Sequence, residues 1–181
     1  MRIIAEISIS EKGLTINDQT LMTFESDNWL KEAYVALKLE YPKFYKMDIL
    51  SKMAFICVEQ LKQSYPTNWW VNENLPQIIA NSNASKYTDV HFEASYKNGA
   101  SPSPSLFVYT LPNIVTGELA IRNKWYGQNW FFVQQELDWN KLEEQIIINL
   151  FDYKGIVLCG WTDIDQTLAS ANATFRLIEH N

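Results

Sequence analysis

The sequence predicts an α/β domain, and three observations carry that expectation. Apolar stretches of strand character alternate along the chain with segments whose apolar residues recur at helical spacing. The breaks between them fall at Gly and Pro signals such as Lys12-Gly13, Tyr65-Pro66 and the run from Gly99 to Pro104. The 181 residues, 47% hydrophobic and 20% charged, suffice for one sizeable core and are short for two. Strands alternating with helices imply, in addition, a mainly parallel sheet.

Each element follows from local pattern. Arg2 to Ser10 alternates through Ile3, Ile4, Ala5, Ile7 and Ile9, which reads as a strand. Lys12-Gly13 turns the chain, and a loop leads to a short helical patch from Trp29 to Leu39, ended by Pro42. Asp48 is placed to cap a second helix, in which Leu50, Met53, Ala54, Cys57, Val58 and Leu61 share one face. Tyr65-Pro66 stops it. Trp69-Trp70-Val71 has the composition of a short buried strand, and Asn81 to Asn83 is polar and loop-like. Ala84 to Tyr96 is helical, and Gly99 to Pro104 is a loop. Ile114, Val115, Leu119 and Ile121 place a helix over Leu111 to Asn123, with Pro112 in its first turn. Trp130 to Gln134 is a strand. Asp138 caps a further helix with Leu142, Ile146, Leu150 and Phe151 on one stripe. Ile156 to Cys159 is a buried strand ended by Gly160, and Ala173 to Ile178 is the last strand.

Composition excludes several function classes. A net charge of −6 argues against a general binder of nucleic acid or anionic membrane. Cys57 and Cys159 lie far apart in apolar segments, without CxxC or alternating Cys/His spacing, so neither a disulfide framework nor a zinc site is expected. Such thiols fit a reducing compartment. Glu6 interrupts the first apolar run, so no secretory signal is read there, and no window reaches the ~18 apolar residues of a membrane span. The expectation is a cytoplasmic protein with no membrane and no nucleic-acid partner. The glycines form no phosphate loop, Ser103 and Ser105 sit in no nucleophile elbow, and His91 and His180 lack companion ligands. No cofactor and no metal are expected.

The segment from Ser101 to Glu118 holds Ser103-Pro104, Phe107, Thr110 and Pro112-Asn113. It leads through Gly127 and Trp130-Phe131-Phe132-Val133 to Glu136, and on to Ile156–Gly160. This arrangement resembles the N-terminal half of β-ketoacyl synthases, condensing enzymes of the thiolase fold. The resemblance implies a single ketosynthase N-terminal-like domain over residues 1–181. Its fold would be one thiolase-like half, a mixed five-stranded sheet with packed helices. It places Glu136 where the family has its nucleophilic cysteine, and it implies that the family's catalytic histidines belong to a C-terminal half beyond this pattern. A condensing enzyme needs a thiolate at a helix start, where backbone N–H groups lower its pKa and hold the oxyanion. Glu136 supplies none.

The short form is similar to half-length ketosynthase-like proteins of fatty-acid, flexirubin or aryl-polyene pathways. It is similar, too, to chain-length factors, the inactive partners of polyketide ketosynthases. A non-catalytic subunit is therefore expected, paired with a full-length ketosynthase or with itself, and with acyl carrier protein as a further partner. In the thiolase fold the strand leading to the nucleophile pairs across the dimer, which assigns Trp130, Phe131, Phe132 and Val133 to an interface. Strand alternation then aims one of Phe131 and Phe132 at the interface and the other at the core.

Two rival readings stand beside this one. Glu136, buried among aromatic residues, would be raised toward neutrality and serve as the base of an acyl-thioester decarboxylase or hydrolase. Alternatively the chain is an acyl-binding scaffold. The plain reading of Glu136 is an acid that complements a helix dipole, worth ~0.3–1 kcal/mol. Asp138 reads as a cap, so the two carboxylates form no catalytic dyad.

Overall fold

The computed structural model describes residues 1–97, 99–165 and 170–181. Its strands are β1 (Arg2–Ser10), β2 (Gly13–Ile16), β3 (Gln19–Thr23), β4 (Gln77–Asn81), β5 (Asn129–Val133), β6 (Gly155–Ile164) and β7 (Ala171–His180). They join one sheet in the order β3-β2-β1-β7-β6-β4-β5. Its helices are α1 (Trp29–Ala36), α2 (Ile49–Ser64), α3 (Lys86–Tyr96), α4 (Pro104–Val108), α5 (Ile114–Asn123) and α6 (Trp139–Asn149).

The class is as expected, but the sheet has seven strands rather than five. It is also not mainly parallel: β4 runs parallel to β5 and β6, while the other neighbouring pairs are antiparallel. The strands not expected are β2, whose Leu14 and Ile16 alternate over only four residues, and β3 and β4, which show no alternation of burial. β2 and β3 form a hairpin closed by Asn17 and Asp18, both at positive φ (47° and 62°), a conformation that Asn and Asp tolerate. β4 is Gln-Ile-Ile-Ala-Asn, buried throughout, and a strand buried on both faces shows a run rather than a period of two.

Trp69–Val71 is not a strand. Asn68–Val71 makes a 3-10 turn in which Thr67 accepts from the Trp69 N–H. The Trp70 indole donates to the Tyr65 carbonyl at 2.6 Å and stacks on Trp125. The helix expected from Leu111 begins at Ile114, with Asn113 at its cap and Pro112 outside it. The helical patch before Pro42 already ends at Ala36, where Lys38 turns left-handed (φ 53°), and Pro42 opens a 3-10 turn to Lys46. Phe151 follows α6 and is 78% exposed, so it leaves the buried stripe of Leu142, Ile146 and Leu150. Gly160 does not end β6 but lies inside it, beneath the Phe175 ring of β7, which occupies the place a Cβ would take.

Two cores flank the sheet. On one face α1, α2 and α5 cover Ile7, Ile9, Ile79, Leu158, Phe175 and Leu177. α2 supplies most of that layer, and Asp48 caps it as expected, accepting from the Ser51 N–H at 2.9 Å. On the other face α6 covers Ile78, Ala80, Val157, Cys159, Trp161 and Ile178. Beyond α6 that face turns polar: Ser8 bonds Thr174 at 2.9 Å, and Arg176 is held by Glu6 and Glu143. No described helix is long and apolar enough to cross a membrane.

Candidate functional site

The parallel strands β4, β5 and β6 end together at one edge of the sheet, the place where open α/β sheets carry their sites. The segment feeding β5 is a scaffold. Ser103 caps α4, accepting from the Leu106 N–H, with Pro104 in its first turn. Thr110 donates to the Phe107 carbonyl at 2.7 Å, and its own carbonyl accepts from Ser85 at 2.7 Å. The Phe107 ring meets Phe92 of α3 with centroids 5.4 Å apart. Tyr109 donates to the buried Glu118 carboxylate at 2.9 Å, which Lys43 also holds at 2.7 Å. Gly127 passes so close to the Asn74 and Leu75 carbonyls that a Cβ there would strike the backbone. Each of these positions supports an element, and none meets another in a reactive cluster.

β5 pairs only with β4 among the described residues, so its other edge is unpaired. Trp130 is 39% and Val133 59% exposed. Phe131 and Phe132 point to opposite faces, and both are half-buried: Phe131 leans on the α2-side core and Phe132 on the α6-side core. Neither is aimed wholly outward. Trp130 stacks on Phe132 with centroids 6.5 Å apart. What β5 leaves open is its main-chain edge, flanked by Trp130 and Val133.

A polar row closes the strand ends. Extending the register beyond Asn81↔Val133 and Ala80↔Trp161 sets Gln134, Ser82 and Asp163 side by side on the α6 face. Ser82 donates to Asp163 Oδ2 at 2.5 Å, and the Gln134 N–H donates to the Asn81 carbonyl at 3.0 Å. Asp163 Oδ1 and Gln134 Nε2 are buried without a hydrogen-bond partner among the described residues. Asn81 folds back on Ala84, which sits at φ 51°. Sequence reasoning missed this row. Its signal is Ile78-Ile79-Ala80 running directly into Asn81-Ser82-Asn83, an apolar strand that meets a polar edge.

Glu136 lies in the bend between β5 and α6, exposed, with no hydrogen bond or ion pair among the described residues. Asp138, not Glu136, satisfies the helix start, accepting from the Asn140 and Lys141 N–H groups at 3.1 and 3.3 Å. The Lys141 backbone bond, foremost, holds the Asp138 carboxyl below its usual pKa. The two carboxylates do not converge on a common partner.

No thiol stands at this edge. Cys57 and Cys159 are both fully buried. Burial pushes the Cys57 thiol up and takes Cys159 to about 12, aided by the Glu143 charge. The histidines are elsewhere. His91 bonds the Tyr87 carbonyl of its own helix at 2.8 Å. His180 pairs with Gly155 at the opposite end of β6 from Asp163, roughly 26 Å along a strand at ~3.3 Å per residue. The edge can bind and orient polar groups. It holds neither an activated nucleophile nor a convergent acid–base pair among the described residues.

No protein-family model matches the chain, and no curated protein matches it. Solved structures do. One is described as a ketosynthase (ApeO) in complex with its chain length factor (ApeC) from Xenorhabdus doucetiae. The match has a TM-score of 0.69 at 12% identity, over 99% of this chain and 79% of that one. Another is described as the ishigamide ketosynthase/chain length factor, with a TM-score of 0.65 at 11% identity. That match covers 98% of this chain, which spans only 61% of its neighbour. The chain therefore has the α/β fold of the ketosynthase and chain-length-factor structures.

Proposed function

We propose that the chain is a non-catalytic, ketosynthase-like subunit of fatty-acid or polyketide-type biosynthesis, of the aryl-polyene or flexirubin kind. It pairs with an active ketosynthase and helps to shape that partner's acyl channel, to which an acyl carrier protein delivers substrate. The observation that carries this reading is the thiol-free bend at Glu136, directly after an apolar strand with an unpaired edge. An unpaired, uncharged edge of Trp, Phe and Val is an association liability unless another chain covers it. A second strand laid on β5 would satisfy its free N–H and C=O groups. α6 adds further exposed apolar surface through Ile147 and Ile148.

The test is co-expression with a full-length ketosynthase. The reading expects a stable complex on size exclusion, and no β-ketoacyl product from the chain alone with acyl- and malonyl-carrier protein. Condensation by the purified chain, or failure to form any complex, rejects it.

A further inference from the structure

A cavity of about 560 Å³ opens between the first turn of α1, the 3-10 turn Pro42–Lys46 and the first turn of α2. It lies on the opposite face of the sheet from α6, well apart from Glu136 in the topology. Trp29, Leu30, Phe44 and Ile49 give it an apolar wall, Tyr45 stands at the mouth, and Asn28 with charged side chains lines much of the rest. Phe44 is fixed, stacked on Tyr34 with centroids 4.3 Å apart, and Trp29 stacks on Phe24. The wall is therefore formed before any ligand arrives.

One charge sits inside this apolar frame. Lys52 is half-buried, and its Nζ stands 5.7 Å from the centre of the Phe44 ring. It makes no hydrogen bond and no ion pair among the described residues. Asp48, one turn earlier, is engaged by the Ser51 N–H and lies outside ion-pair distance of Lys52. Burial holds the Lys52 ammonium below its usual pKa, with Asp48 pulling it back up. A partly desolvated ammonium without an acceptor is costly. The other charges at the cavity, Glu11, Asp27 and Lys31, are exposed at the rim, where water and salt screen them.

We propose that this cavity binds a small carboxylic acid with an aromatic or aliphatic body. The carboxylate sits on Lys52, and the body packs against Trp29, Phe44 and Ile49. A carboxylate gives Lys52 the charge-assisted hydrogen bond it lacks. The body removes the remaining apolar wall from water. An amine would be repelled, and inorganic phosphate would leave the aromatic wall wet. The volume is in the range of small-ligand sites. The assignment does not depend on the partner role.

The test is an NMR titration of the full chain with hexanoate and benzoate against their uncharged amides, hexanamide and benzamide. The carboxylates should shift the Ile49 and Lys52 signals and bind about tenfold tighter than the amides, the size of one charge-assisted bond. Lys52→Met should bring the acids down to the affinity of the amides, while Lys31→Met should leave the preference intact. Equal binding of acid and amide overturns the proposal. So does a preference that survives Lys52→Met, a set of shifts that maps elsewhere, or no binding by either acid up to roughly 10 mM. If Lys52→Met fails to fold, the wild-type comparison of acid with amide decides alone.

Discussion

Arg122 forks onto Glu59, its Nε and NH2 groups donating to the two carboxylate oxygens at 3.3 and 3.0 Å. The guanidinium lies over the Tyr41 ring, 4.8 Å from its centre, and Lys62 adds a third donor to Glu59 at 2.9 Å. The pair joins α5 to α2 and so holds the segment that feeds β5. Burial pushes the Glu59 carboxyl up, but the bonds from Arg122 and Lys62 outweigh it, and Glu59 titrates below its usual value. A lowered acid contributes stability above its unfolded pKa and loses it as pH falls through the folded value. Glu59→Gln should therefore cost ~1–3 kcal/mol at pH 7. The gap to wild type should close in acid, below the ordinary glutamate range. Urea denaturation across pH checks both, and a gap independent of pH would count against the pairing.

Gly160 should resist substitution because the Phe175 ring covers it. Phe175 is fully buried and cannot move aside freely. Gly160→Ala should cost ~1–3 kcal/mol by overpacking. Phe175→Leu made in the same chain should recover part of that loss, a coupling that a thermal-denaturation double-mutant cycle reads directly.

Glu136 and Asp138 should behave differently though two residues apart. Glu136→Gln should change stability by no more than ~0.5 kcal/mol, since its side chain is exposed and makes no hydrogen bond or ion pair among the described residues. Asp138→Asn should weaken α6, and its effect should fade as pH falls through the lowered carboxyl titration of the wild type. Acyl-thioester hydrolysis that vanished in Glu136→Gln would instead make Glu136 a base.

Much of this architecture was legible in the sequence, and the failures share a cause. α2, α6 and their aspartate caps were readable because a cap and an amphipathic stripe are local signals. β5 was readable by its apolar run, and β7 by apolar residues at alternate positions. β4 was not, since burial on both faces erases the period of two, and the polar row at its end was lost with it. The β2–β3 hairpin was hidden because β3 is an exposed edge strand with little apolar content. Gly160 read as a strand end because a glycine buried under a ring and a glycine in a turn look alike in sequence. The bend at Glu136 was placed by resemblance, whereas its exposure and lack of partners could come only from the fold.

Association should depend on the open edge of β5 rather than on its half-buried rings. Val133→Lys, at an exposed position, should abolish pairing and leave the circular dichroism unchanged. Phe132→Lys, by contrast, should destabilise the chain itself by ~2–4 kcal/mol, because the ring packs on the α6-side core. Equal unfolding of both variants would mean that the edge is not where partners meet.

The most direct measurement is sedimentation velocity of the chain mixed with a full-length ketosynthase, run for wild type and for Val133→Lys. The account predicts a discrete complex with the wild type and none with Val133→Lys, both proteins being folded. A complex that forms equally with Val133→Lys, or a wild-type chain that sediments alone, would contradict it.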